Sequence, residues 1–295
     1  MNLASLSQRQ LIFVTGKGGV GKTTVSAALG AALHDVGRRV LVLEVDPRDS
    51  LYPMFDVEPS GGRVVEVTDG LYVQNLRPRE VLDAVVREQL GIELIANRVL
   101  RSPVYRHFSA AAPGLEELAV LGHVLRTVRG LNDDCPAVDL VLLDAPASGH
   151  GLSLLVAPRL VADVIPGGPF GEMASELASF LGDESICGVL VVTQAEEMPI
   201  QEAIELIAAL DRQLSRRPDA VLINALYPRV GEAASESDSP AVRLCRERRK
   251  TGERESARLA ESWPGQRVEL PLLALERGPS LVGALRDCLV DTLES

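Results

Sequence analysis

The most constraining feature of this chain is a glycine-rich segment that lies between an apolar run and a helical pattern. The segment Gly16–Thr24 reads GKGGVGKTT and fits the phosphate-loop pattern G-x-x-x-x-G-K-[ST]. Leu11–Val14 precedes it as a short apolar run typical of a buried strand. After it, apolar residues recur at helical spacing up to Val36, and Gly37 can end the helix. The order strand, glycine loop, helix brings free N–H groups and a helix dipole to an anion site.

Lysine usage supports the same interpretation. The chain has three lysines, Lys17, Lys22 and Lys250, and two of them lie in the glycine segment. Nearly every other cation is arginine, so lysine occurs where a compact ammonium is needed beside a phosphate chain wrapped by backbone amides. We therefore expect a nucleotide phosphate site formed by the loop residues, which are Gly16, Gly18, Gly19, Val20, Gly21, Lys22, Thr23 and Thr24.

Two alternatives compete with the phosphate loop. Gly16, Gly18 and Gly21 also satisfy the dinucleotide fingerprint G-x-G-x-x-G, and an acidic residue, Glu44 or Asp46, follows the next strand at about the expected 20 residues. The other alternative is a flexible glycine turn without a ligand. Neither explains why a lysine and a hydroxyl residue follow the last glycine, whereas a phosphate loop needs both, the lysine for the phosphates and the hydroxyl for Mg²⁺.

The bulk composition narrows the class of protein. The chain has 295 residues, of which 46% are hydrophobic, and its net charge is −11. The acidic balance predicts no nucleic-acid partner, because phosphate backbones require a basic face. No stretch reaches the apolar length of a membrane span, and the polar start Met1–Gln10 lacks a signal-peptide core. The sequence therefore predicts a cytoplasmic protein. Its four cysteines are scattered singly, without the spacing of a metal site.

Alternating strand and helix patterns predict the fold. The strand-like runs are nearly all apolar, which is typical of a mostly parallel sheet covered by helices on both faces, a doubly wound α/β fold. They are Leu11–Val14, Val40–Leu43, Leu71–Leu76, Val138–Leu143, Gly188–Thr193, Ala220–Ile223 and Val268–Leu272. We expect a single phosphate-loop domain over residues 1–295, with a helical insertion at about 78–130 and a further helical connection at about 151–187. Residues 230–240 are predicted to form a loop, and 241–263 a charged helix.

Two aspartates follow predicted strands. Asp144 directly follows the predicted strand Val138–Leu143. It therefore lies at the carboxyl edge, where ligands bind in such sheets, and is a candidate to anchor Mg²⁺. Its alternative role is to cap the turn that contains Pro146. Asp46 comes shortly after the run Val40–Leu43, but Pro47 follows it. Asp followed by Pro is a good N-cap plus first helical residue, so Asp46 could also start a helix. From spacing alone, the two roles of Asp46 remain open.

Several segments together resemble one branch of the MinD/ArsA class of P-loop ATPases. The lysine-doubled loop Gly16–Thr24 resembles the deviant phosphate loop of that class. Asp144–His150 (DAPASGH) is similar to the second switch segment of the arsenite-pump ATPase and the tail-anchored-protein targeting ATPase. Pro113–Glu117 and Glu196–Pro199 also resemble segments of that branch, particularly of its short bacterial members. The resemblance extends from about Leu11 to the end of the chain.

The resemblance implies a role for each matching residue. Lys22 would contact the β- and γ-phosphates of ATP, Thr23 would bind Mg²⁺, and Asp144 would hold that Mg²⁺ through water. Asp46 would polarise the attacking water. Lys17 would reach the nucleotide of a partner subunit. Two further matches are Gly149, whose amide would sense the γ-phosphate, and Asn224, which would read adenine and whose alternative is a turn residue.

The resemblance also implies partners. Because the chain carries one phosphate loop, a composite site requires a homodimer, or a heterodimer with a sister ATPase. The implied function is an ATP-hydrolysing dimeric switch that acts on a client, with a membrane-protein client or a membrane partner as a candidate. The alternatives are an energising subunit of an arsenite-type anion efflux pump and a MinD-like positioning ATPase. The acidic C-terminal tail counts against the latter, since membrane helices of that kind carry a basic face.

Overall fold

The computed structural model describes residues 3–105, 107, 114–146, 150–229 and 239–294. Within these residues, eight strands form one sheet in the order β3-β4-β2-β5-β1-β6-β7-β8. Neighbouring strands are parallel, except that β3 runs antiparallel to β4. The strands are β1 (Leu11–Thr15), β2 (Val40–Glu44), β3 (Val65–Thr68), β4 (Leu71–Asn75), β5 (Leu140–Asp144), β6 (Cys187–Gln194), β7 (Ala220–Leu226) and β8 (Gln266–Pro271).

Helices connect the strands on both faces of the sheet. They are α1 (Lys22–Asp35), α2 (Pro78–Leu90), α3 (Glu93–Arg101), α4 (Leu115–Val128), α5 (His150–Val164), α6 (Gly168–Gly182), α7 (Glu197–Leu214), α8 (Pro240–Ser262) and α9 (Pro279–Glu294). Short 3₁₀ turns occupy Leu3–Gln8 and Tyr52–Met54. None of the helices in the described ranges has the length and apolar character that a membrane crossing requires.

Two apolar layers form the core, one on each face of the sheet. Side chains alternate along β1, so Leu11 and Phe13 enter one layer and Ile12 and Val14 enter the other. The first layer packs against α2 and α4–α8, and the second packs against α1 and α9. All four of these β1 side chains are fully buried, and each buried side chain of this size contributes about 1.5–3 kcal/mol. The doubly wound, mostly parallel sheet predicted from the sequence is confirmed.

One strand of the sheet was not predicted from the sequence. Strand β3 lies at the edge of the sheet, and its residues are alternately half-buried and exposed. It follows the V-E-V-T pattern of a one-sided strand, which lacks the continuous apolar run by which the other strands are predicted. Elsewhere each predicted run lies on an observed strand. Helix α8 begins at Pro240, one residue before the prediction, and most of the predicted loop before it, residues 230–238, lies outside the described residues.

Parallel pairing explains why the polar strand ends meet. The carboxyl ends of β1, β2, β5 and β7 lie at the same edge of the sheet, and the register pairs Glu44 with Asp144 and Val14 with Asp144. Helix α1 leaves this edge directly after the glycine loop. The helix ends as predicted, since Gly37 has a φ of +90° and its N–H donates to the carbonyl oxygen of His34 over 2.8 Å.

Candidate functional site

The glycine loop between β1 and α1 has a backbone that only glycine adopts readily. Gly16, Gly19 and Gly21 have φ values of +143°, +85° and +86°. A Cβ atom on Gly16 would lie 2.2 Å from the carbonyl oxygen of Val192, and one on Gly21 would lie 2.3 Å from Nδ2 of Asn224. Side chains at these two positions would collide with β6 and β7. The loop is therefore packed against the sheet as well as bent, and its N–H groups stay at the carboxyl edge.

Lys22 is the first residue of α1 and lies against the inside of the loop. Its side chain is mostly buried, and Nζ donates to the carbonyl oxygen of Lys17 over 3.1 Å. Burial lowers the pKa of Lys22, while the nearby carboxylates of Asp144 and Asp46 act in the opposite direction. The lysine thus spans the loop from its far end, in the position from which an ammonium can meet phosphate oxygens held by the loop amides.

A hydroxyl–carboxylate pair lies next to this lysine. Thr23 Oγ1 donates to Asp144 Oδ2 over 2.7 Å, and Ser26 Oγ donates to Asp144 Oδ1 over 3.1 Å. Asp144 is buried, and burial raises its pKa to about 6. Both carboxylate oxygens accept side-chain hydroxyls from α1, so the alternative that Asp144 serves only to cap the turn at Pro146 is not supported.

These groups fit a divalent cation. A threonine hydroxyl and an aspartate carboxylate are hard oxygen ligands, the kind that Mg²⁺ takes in nucleotide sites, where it keeps several waters and binds few protein groups. A buried carboxylate with a raised pKa also gains from a cation beside it. Thr23 and Asp144 therefore suit the magnesium site that the sequence predicts, which stays a prediction.

Asp46 follows β2 at the same edge of the sheet. Its Oδ1 accepts hydrogen bonds from the backbone N–H of Arg48 over 2.8 Å and from Arg48 Nε over 3.1 Å, and Oδ2 accepts from Arg48 Nη2 over 3.1 Å. The Arg48 guanidinium lowers the pKa of Asp46. Residues 47 and 48 form a turn, and the next helical residues are Tyr52–Met54, so the alternative that Asp46 begins a helix is wrong.

Lys17 points away from the loop interior. Its Nζ lies 2.9 Å from Glu202 Oε1 on α7, and half of its side chain is exposed to solvent. The two lysines of the loop thus face different surroundings: Lys22 is enclosed by the protein, and Lys17 lies at its surface.

Asn224 lies on β7 and also contacts the loop. Its Nδ2 donates to the carbonyl oxygen of Val20 over 2.9 Å, and the residue is 8% exposed. The next residue, Ala225, has a φ of +56° and lines a cavity of about 160 Å³ together with Gln194 and Tyr227. This cavity thus adjoins the residue that follows Asn224, and the Asn224 side chain itself does not line it. Gly149, the other predicted nucleotide contact, lies outside the described residues.

The structure adds residues that the sequence analysis missed. Ser26 lies three residues after Thr23, on the same face of α1, so helical spacing could have indicated it. Asn75 ends β4 at the carboxyl edge, which is a recognisable signal of the same kind as Asp144. No sequence signal points to Glu202, since 185 positions separate it from Lys17. Glu44, a candidate for the acidic residue of the dinucleotide fingerprint, is 1% exposed, and its Oε2 accepts from the N–H of Leu51, inside the protein.

Fold and site together define a class of protein, the P-loop nucleotide hydrolases. The defining features are a mostly parallel sheet, a glycine loop leading into α1, and Lys22 and Thr23 beside Asp144. The model of one family in this class, described as anion-transporting ATPase, matches residues 9–166, more than half of the chain. The chain belongs to this ArsA-type ATPase family, and it is an ATPase.

Three curated relatives show how far the similarity extends. ATPase BagA of Mycobacterium tuberculosis is 30% identical over 229 residues, covering 76% of this chain and 67% of that protein. A putative arsenical pump-driving ATPase of Aquifex aeolicus is 30% identical over 158 residues, covering 52% of this chain and 39% of that protein. ATPase get3 of Schizosaccharomyces pombe is 28% identical over 187 residues, covering 61% and 54%.

Proposed function

We propose that this ATPase is a dimeric switch in which Mg-ATP closes two subunits over a shared site and hydrolysis reopens them. The observation that carries the proposal is the pair Thr23–Asp144, with oxygens 2.7 Å apart, next to the buried Lys22. This arrangement brings a phosphate-binding ammonium and two oxygen ligands for a cation to the mouth of the loop. It supports ATP as the substrate and Mg²⁺ as the cofactor.

Each loop residue has a part in substrate binding. The N–H groups of Gly16, Gly18, Gly19, Val20, Gly21 and Thr24 surround the phosphate chain, and the helix dipole of α1 adds positive potential there. Lys22 neutralises charge on the β- and γ-phosphates, and Thr23 supplies its hydroxyl to the metal, with Asp144 behind it. Mg²⁺ held by Thr23, with Asp144 behind it, would supply positive charge to the β- and γ-phosphate oxygens. Asn224 reads the adenine from β7, and Gly149 senses the γ-phosphate.

Asp46 orients the attacking water. The water oxygen bonds to the γ-phosphorus, the bond to the β–γ bridging oxygen breaks, and ADP and inorganic phosphate leave. The Arg48 guanidinium lowers the pKa of Asp46, so its carboxylate stays ionised and accepts a hydrogen bond from the water. A weakly basic carboxylate suits orientation better than proton removal, and the proton of the water remains with the phosphate product. Arg48 is largely exposed, so one oxygen of Asp46 can be released to the water by a side-chain rotation.

Lys17 supplies the reason for a dimer. It is half-exposed at the rim of the loop, and the chain has one phosphate loop, so a lysine that acts on a second nucleotide requires a second subunit. Positive charge delivered in trans stabilises the transition state as an arginine finger does. The partner is a second copy of this chain or a sister ATPase.

Two substitutions test the mechanism. We expect Asp46→Asn and Lys17→Ala to bind Mg-ATP with affinity close to wild type but to lose at least about 100-fold in kcat. Suitable controls are Asp287→Asn, which removes an exposed aspartate paired with the neighbouring Arg286, and Lys250→Ala, which removes the one lysine outside the loop. Full turnover by both test variants would refute the assignment, and so would equal losses in the controls.

The region around helix α3 offers a surface for a client. Ile92, Leu94 and Ile95 at the start of α3, and Val104 beyond it, are exposed to between 47% and 84%. Exposed apolar side chains grouped on one segment are typical of interaction sites, so they support a membrane-protein client. The alternative, an anion pump, takes its support from the printed name of the Aquifex relative. Asp46→Asn protein trapped with Mg-ATP and recovered from its native cells should retain a hydrophobic membrane protein in the first case. In the second, arsenite should stimulate hydrolysis by the wild type.

A further inference from the structure

The side-chain amide of Asn75 holds the main chain of Asp46 from two sides. Asn75 is the last residue of β4 and is 2% exposed. The N–H of Asp46 donates to Asn75 Oδ1 over 3.2 Å, and Asn75 Nδ2 donates to the carbonyl oxygen of Asp46 over 2.7 Å. The two bonds join one amide group to both polar groups of one residue, so they restrain the position and the orientation of that residue.

The same amide also holds the turn that follows. Asn75 Nδ2 donates to Asp49 Oδ1 over 2.6 Å, and Arg77 Nη2 lies 3.4 Å from Asp49 Oδ2. Asp49 has a φ of +51°, a left-handed conformation that is unfavourable for most residues other than glycine, asparagine and aspartate. A strained residue of this kind persists where its surroundings hold it, and here Asn75 and Arg77 do so.

The far end of the loop is fixed independently. The N–H of Leu51 donates to Glu44 Oε2 over 2.9 Å, and the N–H of Asn75 donates to Tyr52 Oη over 3.1 Å. The loop from Asp46 to Leu51 is therefore anchored at its end by β2 and the 3₁₀ turn, and at its start by Asn75. Loss of Asn75 would release the start, which carries the Asp46 side chain, while the end stays attached.

We propose that Asn75 is a positioning residue for ATP hydrolysis, which holds the Asp46 carboxylate at the reacting water. The proposal rests on the proposed role of Asp46. An amide suits this position because it presents a donor and an acceptor side by side, and Asp46 N–H and C=O require one of each. A carboxylate of the same shape would place an oxygen against the carbonyl of Asp46 and against the Asp49 carboxylate.

The test separates positioning from general stability. The variants are Asn75→Ala, which removes all three side-chain bonds, and the isosteric Asn75→Asp, which keeps an acceptor for Asp46 N–H and loses both donated bonds. Because small displacements of a catalytic group cost up to about 100-fold, we expect kcat for ATP to fall about tenfold to 100-fold in both. The KM for ATP should stay within about twofold, since neither variant touches the phosphate loop. Asn132→Ala is a matched control, because its amide bonds to Thr127 Oγ1 on α4, away from the loop.

A second substitution should restore part of the loss. In Asn75→Asp/Asp49→Asn the donor and acceptor are exchanged, so residue 49 donates to residue 75, and asparagine tolerates the left-handed φ at position 49. We expect kcat to rise severalfold above that of Asn75→Asp alone. Amide hydrogen exchange supplies a direct readout: in Asn75→Ala, the N–H of Asp46 should exchange faster, while the N–H of Leu51 should keep its protection.

The outcomes distinguish the two proposals. If Asp46→Asn abolishes turnover and both Asn75 variants keep wild-type kcat, the positioning role is overturned and the proposed function stands. A double variant that is less active than Asn75→Asp also overturns it, since a purely structural defect adds rather than cancels. If Asp46→Asn itself turns over as the wild type does, the proposed function fails and the positioning role fails with it.

Discussion

The ammonium of Lys17 lies 2.9 Å from Glu202 Oε1 on helix α7. The lysine that is proposed to act on a partner is therefore bound by a carboxylate of its own chain. The pair is accessible to water, because half of the Lys17 side chain and a quarter of the Glu202 side chain are exposed. Ion pairs of this kind contribute about 0.2–1 kcal/mol. The Lys17 ammonium can therefore leave Glu202 and contact the nucleotide of a partner at a small free-energy cost.

Glu202→Gln should make the Lys17 ammonium easier to release. Removing the carboxylate frees the ammonium, and we expect ATP turnover at low protein concentration to rise by up to about fivefold, the factor that corresponds to the strength of an exposed ion pair. The measurement is ATPase activity as a function of protein concentration. Glu205→Gln is the control, since Glu205 is on the same helix and bonds to Gln201 instead. Reduced turnover in Glu202→Gln would show that the pair supports catalysis rather than restrains it.

Thr23→Val and Ser26→Ala should separate the effect on magnesium binding from the effect on the stability of the fold. Each removes one hydroxyl that donates to Asp144, so each should lower the free energy of unfolding by about 1–2 kcal/mol. Of these two hydroxyls, only that of Thr23 is proposed to bind magnesium. We therefore expect Thr23→Val to abolish the gain in ATP affinity that Mg²⁺ gives, and Ser26→Ala to keep it. Calorimetric ATP titrations with and without Mg²⁺ decide this, and equal behaviour of the two variants would contradict the assignment.

Gly30→Ala should destabilise the protein although it replaces a helical glycine. A Cβ on Gly30 in α1 would lie 2.3 Å from Cγ2 of Val42 on β2, and overpacking of this kind costs about 1–3 kcal/mol. Gly283→Ala in α9 is the matched control, because no atom lies within 4 Å of the added Cβ. There we expect stabilisation by about 0.5–1 kcal/mol from helix propensity. Urea denaturation of both variants checks the opposite signs, and a change of the same sign in both would refute the packing explanation.

Burial of His123 should make stability fall between pH 6.5 and pH 4. Burial in α4 and the nearby Arg126, against a smaller opposing effect of Asp134, together lower the pKa of His123 to about 4. In this window the unfolded chain binds a proton on His123 that the folded chain does not, so acid favours unfolding by up to about 3 kcal/mol. Below pH 4 both states carry the proton and the effect ends.

The measurement is the free energy of unfolding at pH 7 and pH 5 for the wild type and His123→Asn. His123 Nε2 lies 3.3 Å from Gln74 Oε1, and an asparagine can retain one polar contact there. We expect the difference between the two pH values to shrink in the variant, because the group responsible is gone. A pH dependence identical in both proteins would show that His123 does not titrate in this range.

Much of the nucleotide site was predictable because its parts are contiguous or lie at strand ends. Gly16–Thr24 is a single segment, and Asp46 and Asp144 follow strands that the apolar pattern marks clearly. Parallel strands present their carboxyl ends at one edge, so these residues had to be neighbours once the sheet was recognised. The edge strand β3 was missed because it is half-exposed and therefore lacks the continuous apolar run of the inner strands.

Contacts between distant segments were beyond sequence reasoning. The strand-end position of Asn75 is visible in the sequence, but its bonds to Asp46 depend on the order of the strands. Glu202 becomes part of the site through the docking of α7, which no local pattern encodes. The choice between two roles for Asp46 was also a tertiary question. The local sequence Asp-Pro is compatible with the start of a helix, but the bonds from Asn75 and the Leu51–Glu44 contact hold these residues in a turn and a loop instead.

The sequence by itself determined the phosphate loop, the doubly wound sheet and the ATPase class, because glycine at positive φ, apolar periodicity and the Lys–Thr pair act over short distances along the chain. Only the tertiary structure decided which way Lys17 points, what holds Asp46, and that both oxygens of Asp144 accept hydroxyls of α1. The physical reason is that hydrogen bonds and ion pairs depend on distances of about 3 Å between atoms, and those distances arise only when strands and helices pack.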